Sequence, residues 1–437
     1  MNKRRLFALV LSVALAVSAL TGCGNNTATE DESETIKTDA SEEVTQEVES
    51  DRIKITFLNG FTGGDGDFMR KITDGFNASQ SKYEIVESQE KDHLTQFKAN
   101  GSDLVVIGGA ELYTYVEDGM IQEVSNVYDE AGVAIDDFIT AAQDIVEMND
   151  GIYAFPLDIH PLTMFYNKEL VTEAPKTYED LVEINSRLQA ENPDVYVMAI
   201  PSSGLIEWYY MALAAQNGID IVTDGYCNFA TDEFADVLMT WHDMIFVDQL
   251  SPSNLGLDAE FTSFAKTADD ITTQAAIALT GPWYYSAAKE IYGDNLGVAS
   301  IPTIGEENAT YGGAHTIAVS TQVTDEEKLA GIVEFFKYLY TPENLLNWAD
   351  SGQTPVHKAA LEIIKANPDE YPLPAANAEA IETAKIGPKV YNVLEQLAYI
   401  SNNIFGRIVS EENFSREELM TELEKATEIA RQIAAEQ

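Results

Sequence analysis

The chain alternates short apolar runs with segments whose apolar residues recur every three to four positions. The runs "KITFLN" and "DLVVIGG" predict buried strands, and "FMRKITDGF" places Phe68, Ile72 and Phe76 at helical spacing. "EEKLAGIVEFFKYLY" is a strongly amphipathic helical pattern, and "AAIALTGPWYYSAAKEI" predicts a strand, a turn and a helix. Strands that alternate with helices predict α/β layers with mostly parallel sheets.

Two helix starts carry their own signals. Thr341 and Pro342 suit the N-cap and the first position of a helix. Ser415 and Glu418 have the spacing of a capping box, which predicts the start of the last helix.

The first 22 residues have a pattern of their own. The basic start "MNKRR" precedes the apolar stretch "LFALVLSVALAVSAL", which is typical of a secretory signal peptide. It ends in "LTGC", which resembles the lipobox of bacterial lipoproteins. The resemblance implies cleavage before Cys23, acylation of its thiol by a fatty acid such as palmitate, and anchoring at the extracytoplasmic face of the cell membrane. The alternative is an ordinary signal with a coincidental cysteine.

The segment that follows differs in composition from the rest of the chain. Residues 23–51 contain many acidic and few large apolar side chains, so they predict a disordered, charged linker. Apart from Cys23 the sequence has a single cysteine, Cys227. If Cys23 carries lipid, the exported chain has no disulfide, and Cys227 is most simply a small buried residue.

The net charge of the chain argues against one class of binding partner. The formal net charge is −47, which argues against nucleic acid, because the phosphates would be repelled. Acidity by itself names no other partner.

The glycine-rich stretch "NGFTGGDGDFMRK" raises the possibility of a phosphate loop. It contains no GxxxxGK[ST], and Met69 stands where GxGxxG requires a third small residue, so we expect no nucleotide cofactor. A strand, a tight turn and a helix start remain. Asp65 or Asp67 is placed to cap the first helical N–H groups. In an open α/β sheet the same turn lies where ligands collect, so Asp65 either caps the helix or contacts a ligand.

The stretch "FPLDIHP" places two chemically useful side chains on one face of a strand. Asp158 and His160 are two positions apart and therefore point to the same side. They form either a hydrogen-bonded pair or part of a ligand site. Asp-x-His is also a possible pair of metal ligands, but the sequence offers no third candidate nearby, so we expect no metal.

Four further stretches carry a family resemblance when they are taken together: "GIYAFPLDIHPLTMFYNKEL", "ALTGPWYYSAA", "SIPTIGEENATYGGAHTIAVS" and "FFKYLYTPENLLNWADSGQTPVHKAA". In this order they resemble the extracellular solute-binding proteins of ATP-binding cassette importers, in the maltose-binding-like, sugar-binding group. The resemblance covers nearly everything from Arg52 onward. It implies a type II, two-lobed periplasmic-binding-protein fold, in which each lobe is an open, mostly parallel sheet flanked by helices and hinge strands join the lobes. We expect residues 52–157 and 299–340 in the N-terminal lobe, and residues 158–298 and 341–437 in the C-terminal lobe.

The resemblance also implies a ligand site in the cleft. Sugar sites combine aromatic faces with planar polar groups. The implied ligand-binding residues are Phe61, Asp65, Glu111, Asp158, His160, Glu207, Trp208, Trp283, Tyr284, Gly313 and His315.

Several of these assignments have simpler alternatives. Trp283 could be a core aromatic, and Tyr209 or Tyr210 could replace Trp208 as the exposed ring. Glu111 could be a solvated helix start.

These features predict a membrane-anchored, monomeric binding protein that delivers a carbohydrate to the permease of an importer without turning it over. One alternative keeps the fold and changes the ligand to a polyol phosphate, a polyamine, a peptide or a metal. The candidate segments contain few basic residues apart from Arg70 and Lys71, which favours a neutral ligand. A secreted carbohydrate-active enzyme is a third possibility, although no short motif identifies its two carboxylates.

Overall fold

A computed structural model describes residues 52–265 and 273–437. The predicted signal peptide, Cys23 and the acidic linker lie outside the described residues. Within the described part of the chain, no helix is long and apolar enough to cross a membrane.

Fifteen strands are present in the described residues. They are β1 Ile53–Asn59, β2 Tyr83–Gln89, β3 Leu104–Gly108, β4 Glu147–Met148, β5 Gly151–Ile152, β6 Phe155–Pro161, β7 Thr163–Asn167, β8 Val195–Tyr196, β9 Val222–Thr223, β10 Tyr226–Cys227, β11 Gln274–Ala275, β12 Ile277–Thr280, β13 Leu296–Ser300, β14 Thr310–Val319 and β15 Ala384–Lys385.

Seventeen α-helices separate or follow these strands in the same residues. They are α1 Gly66–Ser79, α2 His93–Asn100, α3 Leu112–Glu117, α4 Ser125–Ala131, α5 Thr140–Val146, α6 Tyr178–Glu191, α7 Ile206–Gln216, α8 Asp232–Phe246, α9 Ala259–Ala265, α10 Tyr285–Tyr292, α11 Glu326–Leu339, α12 Pro342–Ala349, α13 Lys358–Ala366, α14 Pro372–Asn377, α15 Val393–Asn403, α16 Phe405–Ile408 and α17 Arg416–Ala434. Short 3-10 helices span Ile135–Asp137, Pro282–Tyr284, Gly293–Asn295 and Ala380–Glu382.

Both helices start where the sequence signals predicted, but only the Ser415 half of the capping box forms, because the Glu418 carboxylate pairs with Arg407. Thr341 is the N-cap of α12, and Pro342 is its first residue. Ser415 is the N-cap of α17, and its hydroxyl accepts a hydrogen bond from the Glu418 N–H at 3.2 Å. The Ser415 hydroxyl therefore satisfies an N–H group that the helix itself leaves unpaired, whereas the Thr341 hydroxyl donates to the Tyr338 carbonyl oxygen instead.

The larger sheet has six strands in the order β15-β14-β3-β1-β2, and β6 pairs with β14. Strand β1 runs parallel to β2 and β3, as the alternation of strands and helices predicted. Strand β14 runs antiparallel to both β3 and β6. This arrangement places β6 beside β14, and the two strands carry the site described below.

The second main sheet, β12-β7-β13, has three strands and is antiparallel throughout. The prediction of mostly parallel pairing is wrong for this sheet. Alternation along the sequence does not fix strand direction, because a long connection can return the chain to either end of a sheet. Strand β7 follows β6 after the single residue Leu162, so the chain passes directly from one sheet to the other.

Two large hydrophobic cores accompany the two sheets. The first contains side chains from β1, β3 and β6 together with Trp348 of α12 and Leu361 of α13. The second contains side chains from α7, α8, α15 and α17. The β6–β7 connection and the β13–β14 connection both lead from one core to the other, so residues at these connections lie between the two.

Candidate functional site

The site is built on the paired strands β6 and β14. In their register Asp158 lies opposite His315, and His160 lies opposite Gly313. Asp158 and His160 share a face of β6, as their spacing predicted, and the antiparallel partner adds His315 to the same place. The register shifts directly after His315. Three side chains that can titrate or bind a cation therefore meet at this point.

Asp158 is the centre of this group. His160 Nδ1 donates to Asp158 Oδ1 at 2.8 Å, and His315 Nδ1 lies 2.9 Å from Oδ2. Trp348 Nε1 donates to Oδ2 at 2.8 Å. The carboxylate is fully buried, so these three donors replace the water that it loses on folding.

The charges of the three groups are linked. Burial favours the neutral acid, but the two imidazoles outweigh burial and lower the pKa of Asp158. Burial opposes protonation of His315, yet the charge and hydrogen bond of Asp158 prevail and raise its pKa. Burial and the nearby His315 lower the pKa of His160. Asp158 is therefore held as a carboxylate between the two imidazoles, and its negative charge favours the protonated form of His315.

Two glycines of β14 leave the space that the His160 residue occupies. A Cβ atom added at Gly313 would collide with His160 Nε2, so the imidazole lies directly over the glycine backbone. At the neighbouring Gly312 a Cβ atom would lie 2.6 Å from the His160 carbonyl oxygen. The "YGG" of β14 therefore permits a close approach of β6 that a larger residue would prevent.

Aromatic rings extend from this centre toward both cores. Phe61 lies edge-on to His315 at 4.9 Å between ring centroids, and His160 stacks near-parallel on Trp208 at 5.9 Å. Trp208 meets Trp283 edge-to-face at 5.5 Å. We call Phe61, His315, His160, Trp208 and Trp283 the aromatic series.

The end of the aromatic series is open to solvent. Trp283 lies in a Gly-Pro-Trp turn, and its indole ring covers Gly281. The Trp283 residue is nevertheless 50% exposed. The sequence alternative of a core aromatic is therefore wrong for Trp283. Tyr209 and Tyr210 are fully buried, so neither replaces Trp208 as an exposed ring.

Glu207 lies beside the series at the start of α7. Its Oε1 accepts a hydrogen bond from the Tyr311 hydroxyl at 3.0 Å, and Tyr311 lies 6.4 Å from Trp208 between ring centroids. Burial raises the pKa of Glu207, and the Tyr311 hydrogen bond partly offsets this. The glutamate is thus held in a fixed position next to the aromatic rings.

Asp65 does not cap α1 with its side chain, which corrects one of the two sequence interpretations. It occupies the N-cap position with φ −72° and ψ −27°, and it forms no side-chain cap bond. N-cap residues usually have extended backbone geometry, which aims the side chain at the free N–H groups. Here the Asp65 carbonyl oxygen accepts from the Phe68 and Met69 N–H groups instead. The negative charge of Asp65 favours protonation of both His160 and His315.

A family comparison can be set beside this geometry. The family model described as "Bacterial extracellular solute-binding protein" matches residues 71–376. The chain belongs to this family.

Individual relatives of this solute-binding protein agree with the assignment. A maltotriose-binding protein of Pyrococcus abyssi is 23% identical over 363 residues, covering 79% of this chain and 75% of the relative. The sn-glycerol-3-phosphate-binding periplasmic protein UgpB of Yersinia pestis is 24% identical over 349 residues, covering 71% and 76%. The crystal structure of a cyclic α-maltosyl-1,6-maltose binding protein from Arthrobacter globiformis matches with a TM-score of 0.72 at 18% identity. It covers 88% of this chain and all of that one. The predicted type II, two-lobed periplasmic-binding-protein fold is confirmed.

Two implied ligand residues lie apart from the aromatic series in the solute-binding protein. Glu111 lines a separate cavity of about 100 Å³ with Lys98, Thr114 and Asn392, and burial raises its pKa. It occupies the N-cap position of α3 and is half-buried, so it is a helix start that is partly shielded from solvent. Tyr284 stacks on Phe261 at 4.1 Å, and burial together with nearby carboxylates raises its pKa to about 12. Its ring supports Trp283 from the side, with 6.2 Å between the ring centroids.

Sequence reasoning missed Trp348 and Tyr311. Trp348 holds Asp158 although the two are 190 positions apart, and Tyr311 holds Glu207 across 104 positions. Trp348 stands in the helical stretch "NLLNWA", where its spacing gives the ordinary signal of a core aromatic. No local pattern distinguishes it from other buried aromatics.

The expectation that no third metal-ligand candidate lies nearby is also wrong. Asp158, His160 and His315 each offer a ligand atom, and these atoms lie within 4.8 Å of one another. The third group comes from β14, which the spacing of Asp-x-His on β6 could not reveal.

Proposed function

We propose that this solute-binding protein captures a neutral carbohydrate between its two cores and delivers it to an ATP-binding cassette importer. The observation that carries the proposal is the half-exposed Trp283, whose ring lies edge-on to Trp208. Polar side chains lie beside this pair of rings. Aromatic faces cover the apolar faces of sugar rings, and oriented polar groups bind the hydroxyls. His160, Asp65 and Glu207 supply those groups.

The two cores correspond to the two lobes. In this proposal α12 and α13, whose Trp348 and Leu361 pack in the first core, belong to the N-terminal lobe, although the sequence division put residues 341–437 in the C-terminal lobe. The aromatic series connects Phe61, which packs in the first core, to Trp208, which packs against the second. A solute placed along the series contacts both lobes, and lobe closure around it is a hinge motion.

Charge favours a neutral solute over a polyol phosphate. The aromatic series and its hydrogen-bond partners contain no lysine or arginine, the usual phosphate ligands. Of the two basic residues near the glycine loop, Lys71 donates to Asn347 at 2.6 Å and Arg70 donates to Gln89. The relative named for glycerol 3-phosphate makes that ligand the second candidate to test.

Binding is tested by calorimetry on residues 23–437 with maltotriose, other neutral oligosaccharides, glycerol 3-phosphate and spermidine. We expect a neutral oligosaccharide to bind. Saturation by glycerol 3-phosphate or spermidine alone would contradict the ligand assignment and leave the fold unchanged.

Trp283→Ala tests the site itself. Loss of an aromatic anchor should weaken binding by about 2 kcal/mol or more. Ile291→Ala is the matched control, since Ile291 is 44% exposed on the adjoining helix α10. Equal affinities for the Trp283→Ala variant and the unaltered protein would remove Trp283 from the site.

Capture without turnover separates this proposal from a carbohydrate-active enzyme. Prolonged incubation with the bound oligosaccharide should leave its chain length unchanged by chromatography. Shorter products that scale with protein concentration would favour the enzyme.

We propose that the exported chain is a monomer anchored through lipid on Cys23 at the extracytoplasmic face of the membrane. Mass spectrometry of the protein from membranes should find an acylated N-terminal Cys23. Cys23→Ala should release the protein into the medium.

A further inference from the structure

The Asp158 group has the composition and spacing of a transition-metal centre. One carboxylate oxygen of Asp158 and one ring nitrogen from each of His160 and His315 all lie within 4.8 Å of one another. We propose that these three residues form a binding site for one divalent transition-metal ion of the zinc type. The proposal is separate from carbohydrate capture, because neither the aromatic stacking nor the polar side chains beside it require an ion.

The distances are close to those that a metal requires. Zinc binds imidazole nitrogen and carboxylate oxygen at about 2.0–2.2 Å, so ligand atoms of a tetrahedral site are about 3.3 Å apart. His160 Nδ1 and His315 Nδ1 lie 2.8 and 2.9 Å from the nearest Asp158 oxygens. Small rotations of the two imidazole rings would lengthen these separations by a few tenths of an ångström. An ion could then replace the hydrogen bonds that now join the three groups.

Two features hold the ligands in position. Trp348 donates to Asp158 Oδ2, which is the outer-shell hydrogen bond that orients a metal-binding carboxylate. Phe61 packs against both His315 and Trp348 with 4.9 Å between ring centroids in each case. The ligands therefore stand on two paired strands and are supported by packed aromatic rings, so little conformational entropy is lost on binding.

The donor set selects a class of ion. Two imidazole nitrogens and one carboxylate suit zinc, copper, nickel or cobalt, whereas calcium and magnesium take oxygen ligands almost exclusively. Three protein ligands leave a fourth position open. Because His160 also stacks on Trp208, the proposed metal site adjoins the proposed carbohydrate site. Asp65 adds a second negative charge that acts on both imidazoles.

The first experiment titrates Zn²⁺ into chelator-treated residues 23–437 by calorimetry, with Mg²⁺ as the probe for weak binding to the acidic surface. We expect one Zn²⁺ per chain and no matching Mg²⁺ signal. His160→Gln and His315→Gln should each abolish the one-to-one isotherm, and Trp348→Phe should weaken it by about 10- to 100-fold. His242→Gln is the control, since His242 lies in α8 of the second core. Zinc binding that survives both site variants overturns the proposal, as does its absence from the unaltered protein.

A second measurement uses the unaltered protein, so a variant that fails to fold does not decide the question. Cu²⁺ bound at this site should show hyperfine coupling to two imidazole nitrogens by electron paramagnetic resonance. Coupling to one nitrogen or none overturns the proposal.

Carbohydrate titration in the presence of chelator keeps the two proposals distinct. Oligosaccharide binding without metal, alongside a failed zinc titration, rejects only the metal site.

Discussion

Glu260 should make the stability of the fold fall as the pH rises. This residue of α9 is 1% exposed, and its Oε2 has no hydrogen-bond partner among residues 52–265 and 273–437. Burial raises the pKa of its carboxyl group from 4.5 to about 7. The folded protein therefore holds a proton that the unfolded chain releases above its ordinary pKa. Stability is full below that value and decreases as the pH rises toward the folded-state pKa.

The size of the effect follows from the two pKa values. A rise from 4.5 to about 7 corresponds to about 3 kcal/mol, most of which is lost between pH 5 and pH 8. Glu260→Gln keeps the shape of the side chain and removes its titration. The stability of the variant relative to the unaltered protein should thus increase by about 2 to 3 kcal/mol from pH 5 to pH 8.

Urea unfolding at several pH values measures this difference. Glu424→Gln, at an exposed position of α17, controls for the loss of one negative charge from an acidic chain. A difference between the Glu260→Gln variant and the unaltered protein that stays constant with pH would refute the reasoning. So would a relative gain that grows toward low pH.

Two further substitutions test the site geometry. Gly313→Ala should displace the His160 ring and lower solute affinity at least tenfold, whereas Gly256→Ala, where an added Cβ meets no atom within 4 Å, should not. Titration calorimetry measures both, and equal affinities would show that the ring has another position. Asp65→Ala should lower solute affinity without lowering the melting temperature, because its side chain forms no cap bond. Asp67→Ala, in the first turn of the same helix, is the control for this variant. If the Asp65→Ala variant instead has a lower melting temperature and full solute affinity, the capping interpretation is restored.

Local patterns in the sequence predicted much of the fold. The apolar runs became β1 and β3, and helical spacing located α1 and α11. These predictions succeed because a strand or helix that buries one face must repeat its apolar residues at a fixed period. Sheet direction was predicted less well, since the pairing of β7 with β12 depends on contacts between distant segments.

The residues of the candidate site were likewise predicted only where the signal lies within one short stretch of sequence. The shared face of Asp158 and His160 follows from alternation within one strand. The approach of His315 does not, because it requires the register of β14 against β6 across 157 positions. Asp65 shows a different limit. Its residue type suits an N-cap, but its backbone is helical, and composition does not specify those dihedral angles.

The aromatic series also makes the protein suitable for optical measurement. Of the four tryptophans in the sequence, Trp208 and Trp283 belong to the series and Trp348 packs on Phe61. Trp241 is enclosed in the second core and serves as an internal reference. Indole emission changes with the polarity around the ring, and the half-exposed Trp283 has the most solvent to lose. The native fluorescence of the unlabelled chain should therefore follow the arrival of a solute in real time.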